Sequence, residues 1–228
     1  MKTLTAIVPA YNEENTIEAS LNSLIKQKYI SEIIIINDGS TDKTLDIINQ
    51  FENIDSRIIV LSSLQNKGKG NSLNSARAMV TSDYVVIHDA DLEYDPEDLY
   101  DMYNLITGNN LILGTRFKGS KQRTNIYLRT FIANKIMSKF FSIIHNSKIS
   151  DIATCYKMMP SEFYKNTLFR EDGFSIEIEM VAKFLKTSSE INESPISYKG
   201  RSYEDGKKIK TLDGFLYLFN TLKYKFVN

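Results

Sequence analysis

The hydrophobic positions of the first half of the chain fall into two alternating rhythms. Leu4–Pro9, Glu32–Asn37, Arg57–Leu61, Tyr84–His88 and Asn110–Thr115 are short runs, several of them nearly continuous in Ile, Val and Leu. Such runs are buried on both faces, as in a parallel sheet, whereas a half-exposed strand would alternate. Between them the spacing predicts helices over Glu14–Gln27, Lys43–Phe51, Gly70–Val80 and Pro96–Ile106. Leu21, Leu24, Ile25 and Lys28 follow the 3/4 spacing, and Pro96 suits a first helical turn. Strand and helix in alternation predict an α/β chain with a doubly wound, mostly parallel sheet. Ligands of such a sheet bind beyond the carboxyl ends of its strands. No internal repeat or linker divides the pattern.

A longer pattern runs over Ile126–Ile144. Ile132, Ile136, Phe140 and Ile143 share one helical face, with Met137 and Ile144 beside it. Asn134, Lys135, Ser138, Lys139 and Ser142 lie opposite, interrupted by Phe131 and Phe141. An amphipathic helix of this kind packs its apolar face on the core, or lies at a membrane interface. Packing on the core is the commoner outcome of such a pattern, and the Phe pair with the nearby Arg123, Arg129, Lys135 and Lys139 adds weight to the interfacial one. Phe215-Leu216-Tyr217-Leu218-Phe219, followed by Lys223-Tyr224-Lys225, is a weaker interfacial candidate.

Composition narrows the class. With 228 residues, 42% apolar and 25% charged, Gly 10 and Pro 4, the chain is neither collagen-like, low-complexity nor wholly disordered. Lys+Arg 28 against Asp+Glu 28 argues against a generic polyanion binder, so nucleic acid is not an expected partner. The single Cys155 can form neither an internal disulfide nor a Cys-based zinc site, which predicts a cytosolic setting. No run before Asn12 reads as a signal peptide, and no stretch approaches the ~20 apolar residues of a membrane span. A soluble or peripherally bound protein is expected.

The charges balance globally but not locally. From Arg77 to Arg116 no Lys or Arg intervenes, while Asp83, Asp89, Asp91, Glu93, Asp95, Glu97, Asp98 and Asp101 crowd one stretch. From Asp101 to Asp151 no acid intervenes, while Arg116, Lys118, Lys121, Arg123, Arg129, Lys135, Lys139 and Lys148 accumulate. That succession is either a solvated face beside a loop or a cation site adjacent to an anion site.

Candidate chemistry sits at the predicted strand ends. These are Pro9-Ala10-Tyr11-Asn12-Glu13-Glu14, Asn37-Asp38-Gly39-Ser40-Thr41-Asp42, Asn66-Lys67-Gly68-Lys69-Gly70-Asn71, Asp89-Ala90-Asp91 and Gly114-Thr115-Arg116-Phe117. Each alone is compatible with a turn or helix cap. Two carboxylates one residue apart, as in Asp89 and Asp91, can converge on Mg²⁺ or Mn²⁺ that bridges phosphates, or can form an acidic turn before Pro96. The Gly68–Leu73 stretch fails the dinucleotide fingerprint, because Leu73 replaces the third glycine, and no G-K-[ST] closes a Walker A loop. A basic loop entering a helix remains compatible with anion contact.

In order, these segments resemble family 2 glycosyltransferases, in particular the dolichyl/polyprenyl-phosphate mannose and glucose synthase branch. The resemblance continues through Asp151–Lys157, Gly173–Glu179 and Gly200–Ile209, and so spans nearly the whole chain. It implies a GT-A fold: one Rossmann-like domain over 1–228, a mostly parallel sheet and helices on both faces. Residues 1–115 would form the nucleotide-sugar half and 116–228 the acceptor and membrane-facing half. It implies inverting transfer of a hexose from a GDP-mannose or UDP-glucose type donor to a polyprenyl or dolichyl phosphate. The protein would then sit peripherally at the cytoplasmic face of a membrane. By position, Pro9, Tyr11, Glu13 and Asp38 would hold the nucleoside, with Lys67 and Gly68 beside it. Asp89, Ala90 and Asp91 would hold Mg²⁺ or Mn²⁺ and the diphosphate, with Glu93 as a third metal contact left open. Arg116, Arg201, Lys207 and Lys208 would bind phosphates, with Asp91 and Arg201 in the catalytic set. Asp151 and Glu177 are each either catalytic carboxylates or helix-end residues. Transfer to a sugar hydroxyl, and a non-catalytic nucleotide-sugar binder, are the competing readings.

Overall fold

The computed structural model describes residues 2–188, 190–201 and 211–227. In chain order they form β1 (Leu4–Ala10), α1 (Ile17–Leu24), β2 (Glu32–Asp38), α2 (Thr44–Glu52), β3 (Ile58–Ser63), α3 (Lys69–Ala76), β4 (Tyr84–Ile87) and α4 (Asp98–Asn104). Then follow β5 (Leu111–Thr115), β6 (Arg123–Thr124), α5 (Leu128–His145), β7 (Lys157–Pro160), α6 (Ser161–Asn166), α7 (Ile176–Thr187), β8 (Ile191–Pro195), β9 (Tyr198–Lys199) and α8 (Thr211–Phe226). The five predicted strands appear within a residue or two of their expected bounds. α1 and α4 are trimmed at both ends, α3 ends at Ala76 instead of Val80, and α2 keeps its expected length displaced by one residue.

Seven strands form one sheet in the order β3-β2-β1-β4-β7-β5-β8. β1 pairs in parallel with both β2 and β4, Ile7 lying beside Ile34 on one side and Ile87 on the other. β3 and β8 extend the parallel edges, and β7 runs antiparallel between β4 and β5. The apolar runs fill the centre: Ile33 to Ile36, Val85 to Ile87 and Leu111 to Leu113 are buried. The first five strands therefore point one way, and their polar termini meet on one edge, as expected of a doubly wound sheet. A small parallel pair, β6 with β9, stands apart from the main sheet.

The long helix α5 turns its Ile stripe to solvent and not onto the core, so of the two facings open from the sequence it takes the outward one. Ile132, Ile136 and Ile143 are exposed, whereas Ser138 and Phe141 are buried. Ser138 and Ser142 turn inward because the adjoining loop needs partners for its backbone. Ser138 Oγ accepts the Ile152 N–H (3.1 Å), and Ser142 Oγ both accepts the Ile149 N–H (3.1 Å) and donates to the Ile149 carbonyl (3.0 Å). A buried loop without such partners would be penalised more than a few exposed Ile side chains. Phe141 stacks on His145 with ring centres 4.3 Å apart. Neither Phe is exposed as expected: Phe131 is half-buried, edge-on to Phe117.

Candidate active site

The loops at the carboxyl edge are laced together by side chains. The Asn12 side chain accepts the Thr41 N–H (2.8 Å), and the Asn12 N–H donates to Ser40 Oγ (3.0 Å). The Glu13 N–H donates to Thr44 Oγ1 (2.8 Å). Buried Asp38, the last residue of β2, accepts the Lys67 N–H (3.0 Å) and Gly68 N–H (2.8 Å). Asp38 thus shapes the loop that the sequence places beside the nucleotide. Pro9 and Tyr11, both partly exposed, stand on the same edge.

That loop can form only with glycine at two positions. Gly68 takes a φ of 92°, and a Cβ there would lie 2.3 Å from the Asp172 carbonyl oxygen. A Cβ at Gly70 would lie 1.7 Å from the Glu171 carbonyl oxygen, and the Gly70 N–H donates to Asp172 O at 2.7 Å. The turn leaves the Lys67 side chain exposed and draws Lys69 inward. Lys69 Nζ lies 2.7 Å from Asp89 Oδ1 and 2.7 Å from Glu177 Oε1. The other Glu177 oxygen pairs with Lys157, whose side chain is fully buried. Lys69 and Lys157 are thus site residues that sequence reasoning passed over. Lys69 stood inside a quoted motif, but which of its two lysines turns inward depends on the Gly68 backbone.

The acidic pair follows β4. Arg201 Nη2 donates to Asp91 Oδ2 (2.9 Å), and Arg201 Nη1 donates to Glu13 Oε2 (3.1 Å). Arg201 therefore spans the gap between the β1 loop and the acidic pair. Its Nε is buried without a hydrogen-bond partner among the described residues. Burial, Asp89 and Glu93 together push the Asp91 carboxyl up to about 7, against the pull of Arg201. Burial also raises Asp89, but Lys69 outweighs it and holds Asp89 below the usual carboxylate range. Burial pushes neighbouring His88 down to about 4. Bonded to Ser20 and Tyr156, it is a neutral core residue. Burial likewise keeps the Cys155 thiol protonated, with its N–H donated to Tyr94.

These residues fit a divalent cation. Mg²⁺ and Mn²⁺ sites of this kind take one or two carboxylates and complete their shell with water and phosphate oxygens. Asp89 and Asp91 offer that donor set. Among the described residues, Asp89, Asp91, Glu13, Glu93 and Glu177 stand with Lys69, Lys157 and Arg201 in one network of ion pairs and hydrogen bonds around the pair. Glu93, the open third contact, is turned elsewhere. Its carboxylate accepts the Tyr198 hydroxyl (2.9 Å) and the Arg201 N–H (2.9 Å). Among the described residues no three His, Cys, Asp or Glu side chains gather as a metal cage.

Arg116 and Asp151, expected at phosphates and at the acceptor, are spent on each other. The Arg116 N–H, Nε and Nη2 all donate to the fully buried Asp151 carboxylate, at 3.0, 2.7 and 2.7 Å. The guanidinium also lies 5.0 Å from the Tyr198 ring centre. Beside this pair a cleft opens, lined by Arg116, Phe117, Tyr127, Phe131, Asn134 and Tyr198. Lys135 Nζ stands 4.7 Å from the Phe131 ring centre at its edge. Lys207 and Lys208 lie outside the described residues.

The sheet order and the acidic pair at the β4 terminus define an α/β fold of GT-A type. Glucosyl-3-phosphoglycerate synthase of Mycobacterium tuberculosis, solved with Mn²⁺, UDP and glucosyl-3-phosphoglycerate, superposes on all of this chain and 81% of its own, with a TM-score of 0.74 and 18% identity. That likeness is one of fold. Residues 5–168 match glycosyl transferase family 2, and the chain belongs to that family. It is similar to glycosyltransferase AglJ of Haloferax volcanii, 27% identical over 197 residues, covering 86% of this chain and 62% of AglJ. It is also similar to an uncharacterized glycosyltransferase of Haemophilus influenzae, 29% identical over 231 residues, covering 91% of this chain and 72% of that protein. The chain thus spans less than two thirds of the length of AglJ.

Proposed function

We propose that the chain is an inverting, metal-dependent hexosyltransferase that carries sugar from a nucleotide-sugar of GDP-mannose or UDP-glucose type to a polyprenyl or dolichyl phosphate. The observation that carries the acceptor assignment is the state of the two candidate bases. Glu177 is pinned between Lys69 and Lys157, and Asp151 is buried against Arg116. A sugar hydroxyl needs a positioned carboxylate to take its proton. A phosphate monoester, with a second ionisation near pH ~6, is already an oxyanion. Its oxygen attacks the anomeric carbon, the bond to the donor diphosphate breaks, and the electron pair leaves with the nucleoside diphosphate. No proton has to be removed.

The donor half, 1–115, holds the nucleoside on the edge formed by Pro9, Tyr11, Glu13 and Asp38. A Mg²⁺ or Mn²⁺ held by Asp89 and Asp91 would neutralise the developing diphosphate charge. Arg201 and Lys69 stand on either side of that pair and lend the same fixed positive charge. The second half, 116–228, presents the aromatic cleft with Lys135 at its edge to the acceptor, at the cytoplasmic face of a membrane. Relatives and neighbours named as glycosyltransferases, and the UDP and Mn²⁺ bound in the fold neighbour, support the donor side of the reading. Transfer to a sugar hydroxyl would require Glu177 to release both lysines.

The test is incubation with labelled GDP-mannose, UDP-glucose or a UDP-N-acetylhexosamine, Mn²⁺ and a short polyprenyl phosphate. Label entering the organic phase with one donor supports the reading. Label transferred only to water-soluble saccharides refutes it.

A further inference from the structure

The outward facing of α5 leaves an apolar stripe in solvent, and α8 repeats the arrangement. The two helices are in contact, with His145 Nε2 bonded to the Thr221 carbonyl at 3.0 Å. On α5 the exposed residues include Ile132, Ile136 (61%) and Ile143 (68%). On α8 they include Phe215 (68%), Phe219 (63%), Leu222 and Phe226, while Tyr217, Asn220, Thr221 and Tyr224 face inward. In both helices the uncharged polar side chains nearest the core are spent on the inner side. Ser138 and Ser142 serve the 149–152 loop, and Asn220 donates to Glu171. The outward apolar residues are therefore what each helix presents to its surroundings, and exposed apolar surface of this extent marks an interaction site.

We propose that α5 and α8 form a docking face for an anionic lipid surface. The charge pattern selects this occupant. The chain carries no net charge, yet α5 holds no acid, and Arg129, Lys135 and Lys139 on α5 and Lys225 on α8 are exposed beside the apolar residues. Glu171, against which α8 packs, is paired with Lys223, and the single acid within α8, Asp213, lies in its first turn, away from Lys223 and Lys225. Apolar residues flanked by cations that make no ion pair among the described residues match an interface whose headgroups are negative and whose interior is hydrocarbon. Among the described residues no helix is long and apolar enough to cross a membrane, so the contact lies in the interfacial plane. The N-terminal end of α5 borders the aromatic cleft through Tyr127, Phe131 and Asn134, so docking would bring lipid to the mouth of the site. The proposal deepens the membrane-acceptor reading but can be tested apart from it.

The chain has no tryptophan. Ile136→Trp and Phe219→Trp therefore each create a lone fluorescent reporter. With vesicles of phosphatidylcholine and phosphatidylglycerol, free of polyprenyl phosphate, both emissions should shift to the blue and be quenched by brominated lipid. Pure phosphatidylcholine should bind about tenfold more weakly, as should the wild-type chain in high salt. Arg129→Glu/Lys139→Glu and Ile136→Ser/Phe219→Ser should each lower partitioning about tenfold or more, and Leu64→Ser, an exposed control outside both helices, should not. Nucleotide-sugar hydrolysis should stay unchanged in all of them. Reporters that keep a water-exposed spectrum on anionic vesicles overturn the proposal. So does a concentration-dependent dimer that the serine variants dissociate while vesicle binding is unaltered. Docking without transfer to polyprenyl phosphate leaves the face standing and refutes the acceptor.

Discussion

Arg201 holds Asp91 across the mouth of the site, its Nη2 lying 2.9 Å from Oδ2 while its Nη1 reaches Glu13 on the first loop. A positive side chain stands beside the carboxylate that would receive a metal ion and a diphosphate. Asp91 nonetheless remains pushed up to about 7, so Arg201 alone does not satisfy the acidic pair. Asp91→Asn should leave the metal-free melting temperature unchanged or higher, because like-charge repulsion is relieved. It should lose on the order of 10²-fold or more in transfer, and the rise in melting temperature that Mn²⁺ with nucleoside diphosphate gives the wild type should disappear. Thermal shift with and without ligand, alongside initial rates, checks both halves. Full activity in the variant, or in excess chelator, contradicts the metal assignment.

Glu177 carries opposite expectations for stability and for rate. Removing its charge leaves Lys157 buried without its ion partner, which costs about 3–5 kcal/mol and lowers the melting temperature by about 10 °C in a chain of this size. Glu177→Gln should show that loss, and Glu177→Gln/Lys157→Met should recover part of it. Transfer to lipid phosphate by the folded fraction should fall no more than about tenfold, since no proton is removed in the step. Differential scanning calorimetry and rates corrected for active protein separate the two.

Gly70 tests the packing of the donor loop. A methyl group there meets the Glu171 carbonyl at 1.7 Å, so Gly70→Ala must displace either α3 or the 171–172 segment. The donor KM should rise severalfold or more, with a smaller change in kcat, because the Lys67–Gly70 loop loses its position rather than its chemistry. An unchanged donor KM in a folded variant would argue that the loop lies away from the nucleotide.

Much of this architecture was legible in the sequence because it follows from burial. Ile33 to Ile36 have to be covered on both sides, and a strand so covered places Asp38 at a shared edge with Tyr11, Lys67 and Asp89. What the sequence could not show depends on which polar groups find each other across long separations. Arg116 and Asp151 are 35 residues apart and look equally available for ligand, until the fold closes them into a buried pair. Lys69 and Glu177 are 108 residues apart. The facing of α5 stayed open between core and interface for a related reason. Its Ile stripe is the larger apolar face, but the unpaired backbone of Ile149 and Ile152 claims Ser138 and Ser142, and an apolar count does not register backbone demand.

Glu171 ties α8 to the rest of the chain, accepting from Asn220 (3.0 Å), Lys223 (2.6 Å) and Tyr224 (2.7 Å). Burial raises this carboxyl, but those bonds outweigh it and hold it below the usual glutamate range. A depressed folded-state value means the stabilisation is present above about pH 4.5 and is lost as pH falls through the lower folded value. Glu171→Gln at neutral pH should therefore raise amide exchange in α8, and the gap between variant and wild type should close on acidification below about pH 4.5. A gap that persists at low pH contradicts the ionised carboxylate as the anchor.

The acceptor claim reduces to a comparison between a lipid phosphate and the same lipid alcohol, assayed side by side with one donor, Mn²⁺ and identical detergent. An oxyanion nucleophile without a protein base predicts turnover of the phosphate and a rate with the alcohol lower by on the order of 10²–10⁴-fold, the contribution a positioned base would have made. Equal or faster transfer to the alcohol, or to a sugar hydroxyl while the phosphate stays inert, would contradict it.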